Sequence, residues 1–180
     1  MGPAVLRRPG EGTGKRRGAG HTGPMRIYIP ATAADLSAPE IPARTAHAAT
    51  AQLARALPEE DGEGLEMSAS LCAADASLVL LAEPSAAGAA DRRIVIAADV
   101  DAEAVRELAV GPDALPGTVE LLGPVPWDDV AALLVDEERA EADVRAARTG
   151  DEEAFERAAD ADLLWFDVSE RAPLAERLGA

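Results

Sequence analysis

Met25, Ile27 and Ile29 alternate with Arg26 and Tyr28. This period of two predicts a strand with one buried face, ended by Pro30. Thr32 followed by Asp35 reads as a capping box opening a short helix, which Pro39 and Pro42 break. Arg44 to Ala49 reads as a weak edge strand, and Thr50 as the N-cap of a helix reaching Leu57 before Pro58. After an acidic connector over 59–63, Met67, Leu71, Ala74, Leu78 and Leu81 recur at spacings of four and three. They predict one long helix over 65–83 with a single apolar stripe.

The continuous apolar run Ile94-Val95-Ile96-Ala97-Ala98, closed by Asp99, predicts an interior strand. A helical turn is expected over 101–109, and a strand over 118–122. A turn follows at Trp127 to Val130, then an interior strand over 132–135 closed by Asp136. Helices are predicted over 137–148 and from Asp151 onward, separated by Thr149-Gly150, with Ala140, Val144, Phe155 and Ala158 facing inward. Leu164, Phe166 and Val168 alternate with Trp165, Asp167 and Ser169, which predicts a half-exposed strand with Trp165 outward. A helix over 173–178 ends the chain. This order predicts an α+β fold: a ferredoxin-like sheet of two split βαβ units with an extra strand and helices on one face. An open α/β sheet is the alternative.

Composition narrows the chemistry. The 180 residues carry 17 Lys+Arg against 33 Asp+Glu, a formal net charge of -16, and alanine supplies nearly half of the hydrophobic 48%. Such an acidic chain repels phosphate backbones, so nucleic acid is an unexpected partner. Residues 1–24 differ in kind, with Arg7, Arg8, Lys15, Arg16 and Arg17 against Glu11 alone. They are rich in glycine and proline and read as a disordered basic extension, with the folded domain spanning 25–180. No run approaches about 18 consecutive apolar residues, so no membrane association is expected. No secretory core follows Arg7-Arg8, so a cytoplasmic location is expected.

Lys15 is the sole lysine, Cys72 the sole cysteine, and His21 and His47 the only histidines. Schiff-base chemistry, disulfides and histidine or cysteine metal clusters in the domain are thereby disfavoured. Cys72 borders the apolar stripe of the long helix and reads as a structural thiol. Asp99-Val100-Asp101 resembles the opening motif of haloacid-dehalogenase-type phosphatases. However, no Ser or Thr follows at the offset that family uses, and the domain has no lysine to balance phosphate charge.

Asp99 and Asp136 each close an interior strand. If those strands run parallel, Asp99, Asp101 and Asp136 gather at one sheet edge as oxygen ligands for magnesium. His47 is a candidate acid or base only if a carboxylate orients it in a cleft. Trp165 and Tyr28, on the outer faces of their strands, are candidate anchors for a partner unless helices cover them. No set supplies nucleophile, base and charge stabiliser together. The leading expectation is therefore a non-enzymatic protein-interaction or regulatory domain with no cofactor, with a homodimer as one form it can take. The alternative is a magnesium-dependent hydrolase or small-ligand-binding protein using Asp99, Asp101 and Asp136.

Four segments carry a family resemblance: Met25-Arg26-Ile27-Tyr28-Ile29-Pro30-Ala31-Thr32, Ala73-Ala74-Asp75-Ala76-Ser77-Leu78, Val95-Ile96-Ala97-Ala98-Asp99-Val100 and Leu163-Leu164-Trp165-Phe166-Asp167-Val168. Over about 25–170 the chain resembles an uncharacterised actinobacterial family of small acidic proteins. That resemblance implies a domain beginning at Met25 and assigns no activity, cofactor or catalytic residue. It also implies an aromatic residue where this chain has His47.

Overall fold

The computed structural model describes residues 23–180. Of the predicted basic extension, residues 1–22 lie outside the described residues. Pro24 already pairs with Asp101, so the first strand, β1, runs Pro24–Ala31. Pro30 does not end it: Pro30 lies opposite Val95 and Ala31 opposite Ile94. Thr32 then caps a 3-10 turn over Ala33–Ser37, its backbone N–H donating to Asp35 Oδ2 at 2.8 Å. The strand β2, Thr45–Ala48, leads to α1, Ala51–Ala56, where the Thr50 hydroxyl accepts from the Leu53 N–H as its pattern predicts.

The long helix α2 covers Gly62–Ala82, about 31 Å at 1.5 Å per residue. Its N-cap is Asp61, whose side chain accepts from Gly64 N–H at 3.0 Å. The strands β3 (Ile94–Asp101), β4 (Val105–Glu107), β5 (Thr118–Leu121) and β6 (Val130–Asp136) follow. A 3-10 turn over Ala102–Ala104 replaces the helical turn expected before β4. Next come α3 (Glu141–Ala147), α4 (Glu152–Ala159), β7 (Leu163–Phe166) and α5 (Arg171–Arg177).

Among the described residues the strands form one sheet of order β4-β5-β2-β1-β3-β6-β7, and every neighbouring pair is antiparallel. The class is α+β, as predicted, and the open α/β alternative, with its parallel sheet, does not form. One split passage is present: β2 and β3 run the same way with β1 between them, joined through α1 and α2. The second expected passage closes differently. The chain reverses between α3 and α4 at Thr149-Gly150, where Gly150 adopts φ +97, and β7 returns beside β6 as its antiparallel neighbour. β2 is an interior strand between β1 and β5, not the predicted edge.

The helices do not all lie on one face. α1 and α2 cover the face of Tyr28, Val95, Ala97 and Ala132. The opposite face, with Ile27, Ile29, Ile94, Ile96 and Leu133, is closed by Leu36, Ile41, Val125 and, on α5, Leu174. Trp127 ties this side down: its Nε1 donates to the Ala38 carbonyl at 2.9 Å, and the Arg171 guanidinium lies 4.3 Å from its ring centre. A bulge between Ala97 and Ala98 turns both Val130 and Leu133 to this side.

The predicted stripe of α2 is rotated. Leu65, Ala69, Ala73, Ala74, Ser77, Leu78 and Leu81 face inward, whereas Met67 and Leu71 are 59% and 43% exposed. Alanines against the sheet let the helix axis approach closely, which a Met or Leu at those positions would prevent. Ser77 has no exposed surface. Its hydroxyl donates to the Ala31 carbonyl at 2.7 Å and accepts from the Ile94 N–H at 3.0 Å, joining α2 to β1 and β3.

Gly117 shapes the turn into β5. It sits at φ +88, and a Cβ there would lie 2.9 Å from the Ala48 carbonyl oxygen. Gly117→Ala is expected to destabilise the domain by about 1–3 kcal/mol, given the usual cost of a non-glycine residue in strained backbone. Urea unfolding checks this, with a lowered midpoint as the expected outcome.

Candidate functional site: the strand-end carboxylates and the open sheet edge

Antiparallel pairing decides the fate of the three predicted metal ligands. β3 and β6 run in opposite directions, so Asp99 and Asp101 close β3 at one end of the sheet while Asp136 closes β6 at the other. Six residue steps of strand run from Arg93, beside Asp136, to Asp99, a span of about 20 Å at 3.3 Å per residue. The convergence expected of Asp99, Asp101 and Asp136 required parallel strands and is not formed. Among the described residues, no three His, Cys, Asp or Glu side chains gather as a metal site.

Two of these carboxylates are already engaged. Asp136 and Arg93 have no exposed side-chain surface. Asp136 Oδ1 accepts from Arg93 Nη2 at 2.8 Å and Nε at 3.0 Å, and its Oδ2 accepts from the Arg93 backbone N–H at 2.8 Å. Arg93 Nη2 also donates to the Ala161 carbonyl at 3.0 Å. Asp75 on α2 stands 3.7 Å from Arg93 Nη1, which has no hydrogen-bond partner. Asp99 accepts from Arg26 Nε at 2.6 Å and Nη2 at 2.9 Å. That guanidinium holds the Asp99 carboxyl below the usual carboxylate range. Asp101 is exposed at the strand end.

His47 lies on β2 between Tyr28 and Thr118 in register and is 6% exposed. Among the described residues no carboxylate orients it, and its Nδ1 has no partner. Burial pushes its pKa below the ordinary histidine value. The arrangement is that of a core histidine whose charged form burial disfavours, without an acid–base partner among the described residues. Tyr28 is covered by α2: its hydroxyl donates to Glu66 Oε2 at 3.1 Å, and burial together with the Glu66 charge raises it to about 12. Cys72 is half-buried on α2, and burial raises its thiol pKa, ahead of the nearby Asp75 charge.

Two cavities lie near opposite ends of β1. One, of about 510 Å³, is bordered by Met25, Arg26, Thr50, Glu66, Val105 and Val119. The other, of about 400 Å³, holds the Asp35–Arg44 pair, with Arg44 Nη2 2.7 Å from Asp35 Oδ1. In the second, the Thr32 hydroxyl donates to Asp35 Oδ2 at 3.4 Å, but that carboxylate is already held by Arg44 and by the Thr32 backbone N–H.

Trp165 faces outward as the alternation predicts and no described helix covers it, whereas Leu164, which the same alternation turns inward, is exposed as well. Trp165 is 62% exposed, and Leu164 beside it 42%, on β7 at the sheet's edge. Backbone pairing shows which groups of β7 are free. Asp136 N–H bonds to the Arg93 carbonyl and Glu137 N–H to the Asp162 carbonyl. The alternation of an antiparallel ladder then turns Leu164 and Phe166 toward β6, and the backbone N–H and C=O of Leu163 and Trp165 outward. The opposite edge, β4, carries Arg106 and Glu107, with Arg106 paired to Glu120 on β5. Charge of that kind guards an edge against further pairing, and β7, Leu163-Leu164-Trp165-Phe166, has none.

A family model described as a family of unknown function (DUF6912) matches residues 25–175. The chain belongs to this family. No curated protein and no solved structure matches it. Membership covers nearly all of the described domain, from β1 into α5, and brings no assigned activity to any of the residues above.

Asp136→Asn leaves Arg93 as an unpaired buried charge and is expected to cost about 3–5 kcal/mol, whereas exposed Asp101→Asn changes stability by less than about 0.5 kcal/mol. Chemical denaturation of both variants, with and without magnesium, checks this. A midpoint raised by magnesium in the parent and lost with Asp101→Asn would restore the metal reading.

For His47 the sign is fixed by burial. An unfolded histidine titrates near pH 6.5, and the folded one lower. As pH falls below about 6.5 the unfolded chain takes up a proton that the folded chain refuses, so stability declines. The parent is expected to lose stability from pH 7 to pH 5. His47→Phe should flatten that part of the profile, measured as thermal midpoints across the range.

Proposed function

We propose that the domain works by binding a protein partner rather than by catalysis, and that the open edge of β7 is its docking element. The observation behind this reading is an edge strand without charged guards that presents a largely exposed tryptophan beside outward-facing backbone donors and acceptors. An extended segment added to such an edge gains main-chain hydrogen bonds for affinity, while side chains flanking it supply selectivity. Tryptophan is among the residues that contribute most when an interface buries them.

The competing enzyme reading, a magnesium-dependent hydrolase or small-ligand-binding protein, retains only Asp99 and Asp101 at one sheet end. Arg26 already occupies Asp99. Among the described residues there is no lysine, and the one buried histidine has no orienting partner. A nucleic-acid partner finds no support in a domain dominated by carboxylates, and the cationic residues of 7–17 lie outside the described residues. The reading carries no cofactor and places the protein in the cytoplasm, where a lone half-buried cysteine needs no disulfide partner.

Trp165→Lys places charge on the edge without disturbing the core, so its unfolding midpoint should stay near the parent's. It is expected to abolish retention of a co-purifying protein partner, while Leu122→Lys, at another exposed apolar position, leaves retention unchanged. Equal retention by both variants would remove the β7 edge from the function.

A further inference from the structure

Resting on the β7 reading, we infer that the partner seated on this edge is a second copy of the same chain, paired antiparallel about a two-fold axis with Leu163 opposite the second copy's Trp165. The free backbone is self-complementary in this register. The outward groups of β7 belong to Leu163 and Trp165, and in this register each N–H meets a C=O of the other copy and the reverse. Shifting the register to place Trp165 opposite its own counterpart sets Leu163 against Asp167. The Asp167 N–H already donates to Glu170 Oε2 at 2.9 Å, and its carbonyl accepts from Glu170 N–H at 2.9 Å, so that register leaves Leu163 without partners.

The side chains agree with the same register. Residues directly opposite in an antiparallel pair share a face. On the α2 side, Leu163, which packs into the cluster beneath α2, meets the second copy's Trp165, and the symmetry-related contact repeats it. On the other face Leu164 meets its own counterpart. The two-fold thus covers both large exposed apolar residues of β7 at once.

Area sets the strength. With 62% of a ring of roughly 250 Å² exposed, Trp165 brings about 150 Å² per copy. Leu164 and the strand edge add to this. The total falls toward the low end of interfaces, below about 1,200 Å², which marks a weak, reversible dimer. The domain's acidity opposes self-association at long range, and added salt screens that repulsion. The dimer is therefore weak at low salt and grows with ionic strength, so it is sought at protein concentrations up to about 100 µM.

Sedimentation equilibrium on the full chain, at low and at high sodium chloride, tests this. The expected result is a monomer–dimer equilibrium that tightens with salt in the parent and disappears in Trp165→Lys. Register is tested in a Cys72→Ala background: Leu164→Cys should form an intermolecular disulfide on air oxidation, since opposed Cβ atoms lie about 4.5–5.5 Å apart, and Trp165→Cys should not. A parent that stays monomeric at 100 µM in high salt overturns the self-pairing, as does a dimer that survives Trp165→Lys. Cross-linking through Trp165→Cys instead of Leu164→Cys overturns the register. Should the chain prove monomeric while Trp165→Lys still abolishes capture of another protein, the docking edge stands and the second copy is ruled out as its occupant.

Discussion

Arg93 and Asp136 sit where β3 begins and β6 ends, with no exposed side-chain surface between them. Removing two charges from water costs several kcal/mol per ion, and the cost is offset only when their hydrogen-bonding capacity is filled in good geometry. Here the Arg93 backbone N–H and the Ala161 carbonyl ahead of β7 add hydrogen bonds to the pair, and Asp75 on α2 faces Arg93 Nη1 across 3.7 Å as a further charge. The pair therefore does more than attract. A slip of β3 against β6 by one residue would carry Arg93 to the other face of the sheet and leave both ions unmatched. Register, the approach of β7 and the seat of α2 are all tied to this contact.

The remaining packing follows from small residues. α2 lies close to the sheet because alanines and Ser77 occupy the contact, and the Ser77 hydroxyl bridges β1 and β3 without displacing the ladder. That closeness has a consequence on the outer side. Met67, Leu71 and Val79 are left facing solvent, so α2 is long and apolar enough by composition to cross a membrane while its inner face is fitted to a sheet. The other layer is thinner, built from α5, the 3-10 turn after β1 and two loop residues, Ile41 and Val125, that bridge to each other.

Function is framed by what these constraints leave over. The strand-end acids are dispersed by antiparallel pairing, with buried Asp136 held by Arg93 and exposed Asp99 by Arg26, so among the described residues they form no common site. Among the described residues, the outward hydrogen-bonding groups of β7 have no partner, and the Trp165 indole beside them is 62% exposed. The two sheet edges differ in kind: β4 carries Arg106 and Glu107, whereas β7 is apolar.

Much of the local structure was legible in the chain. Alternation marked β1, the continuous apolar run marked β3, and Thr50 and Asp151 marked helix starts whose side chains accept from Leu53 and Ala154 N–H. Trp165 was legible as outward-facing, because alternation along a strand is a local property. Three features were not: the direction in which strands pair, the face α2 turns inward, and the fate of Asp136. Each depends on residues far apart in sequence. Spacing alone presents Asp136 as a free strand-end acid, and only folding brings Arg93 to within 2.8 Å of it. Sequence by itself determined elements, caps and acidity, since these rest on neighbours within a few residues. The tertiary structure decided which charges are buried and which edge is open, because desolvation and pairing act between segments that the chain order does not place together.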